Sequence, residues 1–235
     1  GFKSMDPSLR EEIAKRFETE NEGALSSFMA MFSKSDYQDI ASAMKMEIKS
    51  FLTQRLNEVK IDEQSGETAS PVGNIKYTIK NLVITPPAEG ELVNMKNIVV
   101  EFGQTEITIK IENLNVCLKE IGFNYDKESF PKMKDEGSLD AFLESMSMSI
   151  TFKIASAGLG IPSLSLGGFE VSLGACRLVF QESSVSWLYN LFSTLFSGQI
   201  RVAIETQLLA SLRDNLEGLT QNINQLAYEL ATGNM

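Results

Sequence analysis

Residues 183–232 constrain the fold most. Trp187, Leu188, Leu191, Phe192, Leu195, Phe196, Ile200, Ala203, Ile204, Leu208, Leu212, Leu216, Leu219, Ile223, Leu226 and Leu230 recur at steps of three and four, an unbroken apolar stripe at helical period. Ser183 and Ser184 offer an N-cap, Gly233 follows the last periodic residue, and no proline intervenes. At about 1.5 Å per residue such a helix is roughly 70 Å long. A rod of that length cannot bury its stripe inside an ordinary compact domain. It requires an equally long apolar partner elsewhere in the chain.

The middle of the chain supplies one. Ile75, Tyr77 and Ile79 alternate with Lys76, Thr78 and Lys80. Ile107, Ile109 and Ile111 alternate with Glu106, Thr108, Lys110 and Glu112, and Met146, Met148, Ile150, Phe152 and Ile154 alternate with Ser147, Ser149, Thr151 and Lys153. A period of 2 marks strands with one dry and one wet face. Further strands are expected at 92–102, 114–125, 162–173 and 174–182. Turn signals stand at Pro86-Pro87, Gly90, Gly103, Gly122, Gly137, 158–162 and Gly167-Gly168. Residues 62–73 are polar with glycine and proline and read as a loop. Ahead of them, apolar spacing predicts a helix over 7–33, interrupted at Gly23, and a second over 36–59. Helices segregated from contiguous strands define an α+β protein with hairpin-connected antiparallel strands.

Composition narrows the chemistry. Histidine is absent from the 235 residues, which removes every histidine-dependent nucleophile scheme and every histidine-ligated metal site. Cys117 and Cys176 are too few for a four-cysteine zinc site or a disulfide framework. The acidic loop 62–67 lacks EF-hand spacing, and Gly158-x-Gly160 lacks the third glycine of a dinucleotide fingerprint. No catalytic constellation can be assembled, so a non-enzyme is expected, with no cofactor. A net charge of −10 argues against nucleic acid as a partner. No apolar run approaches the ~20 residues of a membrane span, and no glycosylation sequon occurs. These features point to an intracellular protein, with a trimmed secreted one as the alternative. Residues 1–4 read as a tag remnant, 5–34 as an extra N-terminal helix, and 35–235 as a single domain.

Residues 137–192 carry a resemblance that continues to about Leu219. Gly137 with Asp140, the Met-Ser-Met-Ser-Ile run at 146–150, Gly160-x-Pro162 and Val-Ser-Trp-Leu-Tyr-Asn-Leu-Phe at 185–192 stand in an order and spacing similar to the N-terminal lipid-binding domain of the bactericidal/permeability-increasing and lipopolysaccharide-binding protein family. That family lies in the tubular lipid-binding (TULIP) superfamily. The resemblance implies a long curved antiparallel sheet wrapped around one very long C-terminal helix, with an apolar tunnel between them for acyl chains.

Two departures accompany it. The family's stapling disulfide would fall at Phe169 (or Leu166) and Leu209, so that bond is missing. The family's lipopolysaccharide binders carry a basic tip, whereas here Glu89, Glu91, Asp126, Glu128, Asp135 and Glu136 are only partly balanced by Lys127, Lys132 and Lys134. The resemblance implies binding of phospholipid or fatty acid, with transient membrane contact and a possible second TULIP domain or homodimer. Tunnel-lining residues would be Tyr77, Ile79, Ile107, Ile109, Ile111, Met146, Met148, Ile150, Phe152, Ile154, Leu164, Leu191, Leu195, Ile204 and Leu208. A scaffold with a filled tunnel is the alternative, and a secreted antibacterial lipopolysaccharide binder a further one. Trp187 is expected to pack on the sheet rather than anchor at a membrane.

Overall fold

The computed structural model describes residues 34–86, 90–103, 105–156, 162–181 and 186–232. The expected helix over 7–33, the cap at Ser183 and Ser184, the stop at Gly233 and, in the turn expected at 158–162, residues 158–161 lie outside them. Helix α1 (Lys34–Leu56) comes first. Met44, Ile48, Leu52 and Leu56 repeat every four residues and are all buried, one row facing inward. Among the described residues nine strands follow: β1 (Lys60–Ile61), β2 (Gln64–Ser70), β3 (Gly73–Lys80), β4 (Leu82–Thr85), β5 (Ile98–Phe102), β6 (Glu106–Lys127), β7 (Met133–Ser156), β8 (Pro162–Ser172) and β9 (Cys176–Phe180). The chain closes with α2 (Ser186–Leu195), one π-helical turn at Phe196–Ile200, and α3 (Arg201–Thr232).

The α+β class is the one expected. All pairings are antiparallel, and β6 and β7 form the spine. One flank of β6 carries β3 and β4 and then β2 and β1; β8 and β9 pair with β7. The spine strands have 22 and 24 residues. At about 3.3 Å per residue they reach roughly 70 Å, the length of the helical rod from Ser186 to Thr232. The rod finds in the spine a partner of its own length. Helix α1 packs beside α3 and β5.

The sheet curls because β6 and β7 bulge. Their ladder shifts register between Ile111 and Leu114, between Leu114 and Val116, and between Leu118 and Ile121. Asn113, Glu120 and Ser145 sit there with positive φ of 57°, 55° and 55°. A bulge leaves backbone groups without ladder partners. Polar side chains take them up. Glu120 N donates to Asp140 Oδ1 at 2.9 Å and Ser145 N to Asn115 Oδ1 at 3.2 Å. Asn97 Nδ2 donates to Glu112 O at 2.9 Å.

Several local expectations need correction. The segments read as separate strands at 106–112 and 114–125 are one strand bent at Asn113. Residues 64–70, read as loop, form β2, fully paired with β3 from Gln64↔Ile79 to Ser70↔Gly73. Its polar sequence suits a strand with little burial, since most of its side chains face solvent. Residues 92–97, expected as strand, are a bend and a 3₁₀ turn capped by Asn94; the strand begins at Ile98. Gly122 and Gly137 lie inside β6 and β7 rather than in turns. At Gly137 the Phe123 ring of the neighbouring strand covers the backbone, and a Cβ there would meet Phe123 Cζ at 2.8 Å. Gly167 and Gly168 sit inside β8, where its register against β7 slips at Thr151/Phe152.

Candidate functional site: the seam between sheet and rod

The inward rows of the spine can be followed across strands. Ile111 pairs with Met148 and Met148 with Val171; Ile109 pairs with Ile150 and Ile150 with Phe169; Ile107 pairs with Phe152, whose β8 neighbour Leu166, past the register slip, is exposed. The rod lays Leu188, Leu191, Phe192, Leu195, Phe196, Ile200, Ile204, Leu208, Leu212, Leu216, Leu219 and Ile223 against this concave face, all buried. Among the fifteen expected lining residues, fourteen are buried; Ile154 is partly buried against the same core. The structure therefore brings all fifteen into one apolar interior.

The lining is longer than the spacing suggested. Inward residues of β6 are odd-numbered from Ile107 to Ile111, even-numbered from Leu114 to Leu118, and odd-numbered again from Ile121 to Lys127. In β7 the parity changes across Ser145, from Leu139, Ala141 and Leu143 to Met146, Met148, Ile150 and Phe152. Each change falls at a bulge, because one extra residue turns every later side chain to the other face. Counting by twos loses the row at each bulge, so Leu114, Val116, Leu118, Ile121, Phe123, Leu139, Ala141 and Leu143 escaped notice. The signal available in the sequence was the pair of adjacent polar residues at Glu112-Asn113, Lys119-Glu120 and Glu144-Ser145.

Apolar contact is non-directional; polar side chains along the rod supply register. Asn224 Oδ1 accepts from Leu164 N at 2.7 Å and Asn224 Nδ2 donates to Leu164 O at 3.0 Å, completing backbone groups on the outer edge of β8. Glu205 Oε1 accepts from Leu173 N at 3.0 Å, and Arg201 donates to the carbonyls of Leu173 and Gly174. On the other flank Gln207 exchanges two hydrogen bonds with Asp62. Between them Tyr77 OH donates to Gln199 Oε1 at 2.6 Å; burial holds that phenol above its ordinary pKa.

One end of the seam is aromatic. Phe123 lies 4.8 Å from Phe192 and 5.7 Å from Phe180, ring centre to ring centre. Trp187 meets Tyr125 edge-on at 5.4 Å, so it packs on the sheet. Elsewhere, Met148 lines a cavity of about 580 Å³ together with Phe169, Val171 and Leu209, rimmed by Lys110, Glu112 and Glu170. The family resemblance would place a disulfide at Phe169 (or Leu166) and Leu209; here Phe169 and Leu209 border one cavity. A second cavity, about 540 Å³, lies beside Cys117, Phe142 and Arg177, whose guanidinium stacks on the Phe142 ring at 4.3 Å. Both cysteines are free thiols. Burial pushes Cys117 up and Cys176 up to about 11. Neither is a ready thiolate near neutral pH. Among the described residues no group of three or more acidic or cysteine side chains is placed to hold a metal, and no helix is long and apolar enough to cross a membrane.

A rod-length helix lying in a bulged, curled antiparallel sheet of matching length is the tubular lipid-binding, or TULIP, fold. Comparison with known proteins narrows it to the form found in bactericidal/permeability-increasing and lipopolysaccharide-binding proteins. The chain is 27% identical over 184 residues to bactericidal permeability-increasing protein of Sebastes schlegelii, which covers 75% of this chain and 36% of that protein. The crystal structure of lipopolysaccharide binding protein superposes with a TM-score of 0.58 at 16% identity, over 79% of this chain and 39% of the other. The chain thus spans a little over a third of each of these proteins. Takeout 1 of Epiphyas postvittana aligns over 83% of this chain and 91% of its own at 10% identity, with a TM-score of 0.33. No family model matches the sequence.

Proposed function

We propose that residues 35–235 form one non-catalytic lipid-binding unit. It holds phospholipid or fatty acyl chains along the seam between sheet and rod and carries or presents them at membranes. The observation that carries this reading is the single apolar interior running the length of β6, β7 and the rod, to which all fifteen expected lining residues contribute. Each methylene transferred from water to such an interior gains about 0.8 kcal/mol, so an acyl chain has a strong reason to enter. The fold shared with lipopolysaccharide binding protein and the 27% identity to a bactericidal permeability-increasing protein support the same reading. The polar stitches at Asn224, Glu205, Gln207 and Gln199 flank the apolar rows, so they hold the rod in register without placing charge in the interior.

One observation favours a second reading. Ile109, Ile111, Met146, Ile150, Phe152 and Leu208 are 0% exposed, so their own packing closes this stretch of the seam. A scaffold that has filled its tunnel would look the same there. Met148→Trp separates the two. On the lipid-binding reading it blocks uptake of a fluorescent phospholipid with little loss of stability. On the scaffold reading it overpacks the core and costs about 1–3 kcal/mol. Native mass spectrometry of the purified protein is the direct test: a chain that carries no lipid and takes up none refutes the proposal.

A further inference from the structure

The hairpin joining β6 to β7 displays a phenylalanine that the rest of the molecule works to expose. Phe130 is 95% exposed. Three residues earlier, Lys127 is only 2% exposed, at the end of the inward row through Phe123 and Tyr125. Its Nζ donates to Ser129 O at 3.0 Å and to Pro131 O at 2.9 Å. These two carbonyls bracket Phe130. A buried ammonium must be satisfied by hydrogen bonds, and here it finds them in the tip backbone, drawing both carbonyls inward and leaving the ring between them outside. The β2–β3 turn stands alongside: a Cβ on Gly73 would lie 3.0 Å from Lys127 Cε. That turn is fixed by Ser70 Oγ, which donates to Gly73 O at 2.6 Å, and it leaves Pro71 exposed.

We infer that this tip is a membrane-landing wedge whose Phe130 enters the surface of a zwitterionic phospholipid bilayer. The choice of a membrane over a protein partner rests on the lipid-binding reading above and on three features of the tip. Its charges nearly cancel: Lys76, Lys132 and Lys134 stand against Asp126, Glu128, Asp135 and Glu136, with Lys76 paired to Glu128 at 2.9 Å. A chain of net charge −10 with no basic field at its tip gains nothing from an anionic surface. Tyr125 and Trp187 sit one step behind the tip, where amphipathic rings meet headgroups. The rod also starts at this end, with Trp187 and Leu188, so a tip seated in the bilayer sets one end of the apolar seam against it. A loop already pinned in its docked shape loses little freedom on landing.

The test uses the full chain and phosphatidylcholine vesicles. Wild type floats with the vesicles, and Phe130→Ser weakens the association about tenfold, with an unchanged circular dichroism spectrum. In a Trp187→Phe background, Phe130→Trp provides a single tryptophan at the tip, and acyl-brominated phosphatidylcholine quenches it on docking. Equal flotation of wild type and Phe130→Ser, or an unquenched tryptophan at position 130, overturns the inference; so does a wild type that ignores vesicles. Uptake of fluorescent phospholipid from detergent micelles, measured on the same variants, keeps the two readings apart. Docking without uptake refutes the carrier and leaves the wedge standing. Uptake by a chain whose docking does not depend on Phe130 refutes the wedge alone.

Discussion

The seam and the tip treat the same kind of side chain in opposite ways. In the seam, Phe152, Phe192 and Phe196 are at most 2% exposed and belong to the apolar core. Polarity is kept to the rims, where Asn224, Glu205 and Gln207 reach the backbone of neighbouring strands. At the tip the arrangement is inverted. A lysine is inside and a phenylalanine outside. Ordinary folding energetics account for the first region and not for the second. An isolated exposed phenylalanine needs no explanation by itself; one held out by a buried ammonium bonded on both sides of it does.

Four substitutions or titrations sharpen this contrast. Phe152→Ala, buried in the seam, is expected to cost about 3–5 kcal/mol in urea unfolding, because its removal leaves a void that the two long elements can close only in part. Asn224→Ala strands the Leu164 N–H and C=O on the edge of β8 and is expected to cost about 1–3 kcal/mol, read in the same assay. A third effect is on pH dependence. The folded Cys176 thiol has a pKa of about 11 against 9.0 when unperturbed, so the unfolded chain ionises first as the solution becomes alkaline. Its contribution is complete below pH 9 and is lost towards 11, on the order of 1 kcal/mol. Tyr77 and Tyr125, raised by burial, act in the same direction at higher pH. Cys176→Ala should flatten the part of the stability curve that begins near 9. The smallest effect is at the tip: Phe130→Ser should change unfolding stability by less than about 0.5 kcal/mol, while altering vesicle docking. A large stability loss there would mean that the ring packs on something and that the contrast is false.

Much of the architecture could be read locally. Helical spacing from Trp187 to Ile223 and strand alternation at 75–79, 107–111 and 146–154 report which face of each element is dry, and that depends only on near neighbours in the chain. Fourteen of the fifteen expected lining residues, all but Leu164, lie in such a run, which is why they reached the interior. The misses have one origin. Strand β2 is polar yet paired, because its partner β3 offers a free edge. Lys127, counted in the sequence among the tip cations, is buried because the bulge at Glu120 sets it on the inward row and two carbonyls are waiting for it.

From its sequence alone this chain determined an α+β class, a rod about 70 Å long and the apolar faces meant to meet it. Only the tertiary structure decided that β6 and β7 are single bent strands, where their rows change side, and that the tip exposes Phe130 rather than charge. Periodicity is a property of a segment and survives in isolation. Bulges, paired polar edges and buried cations are settled by which backbone groups find partners far away in the chain, and that information is absent from any local window.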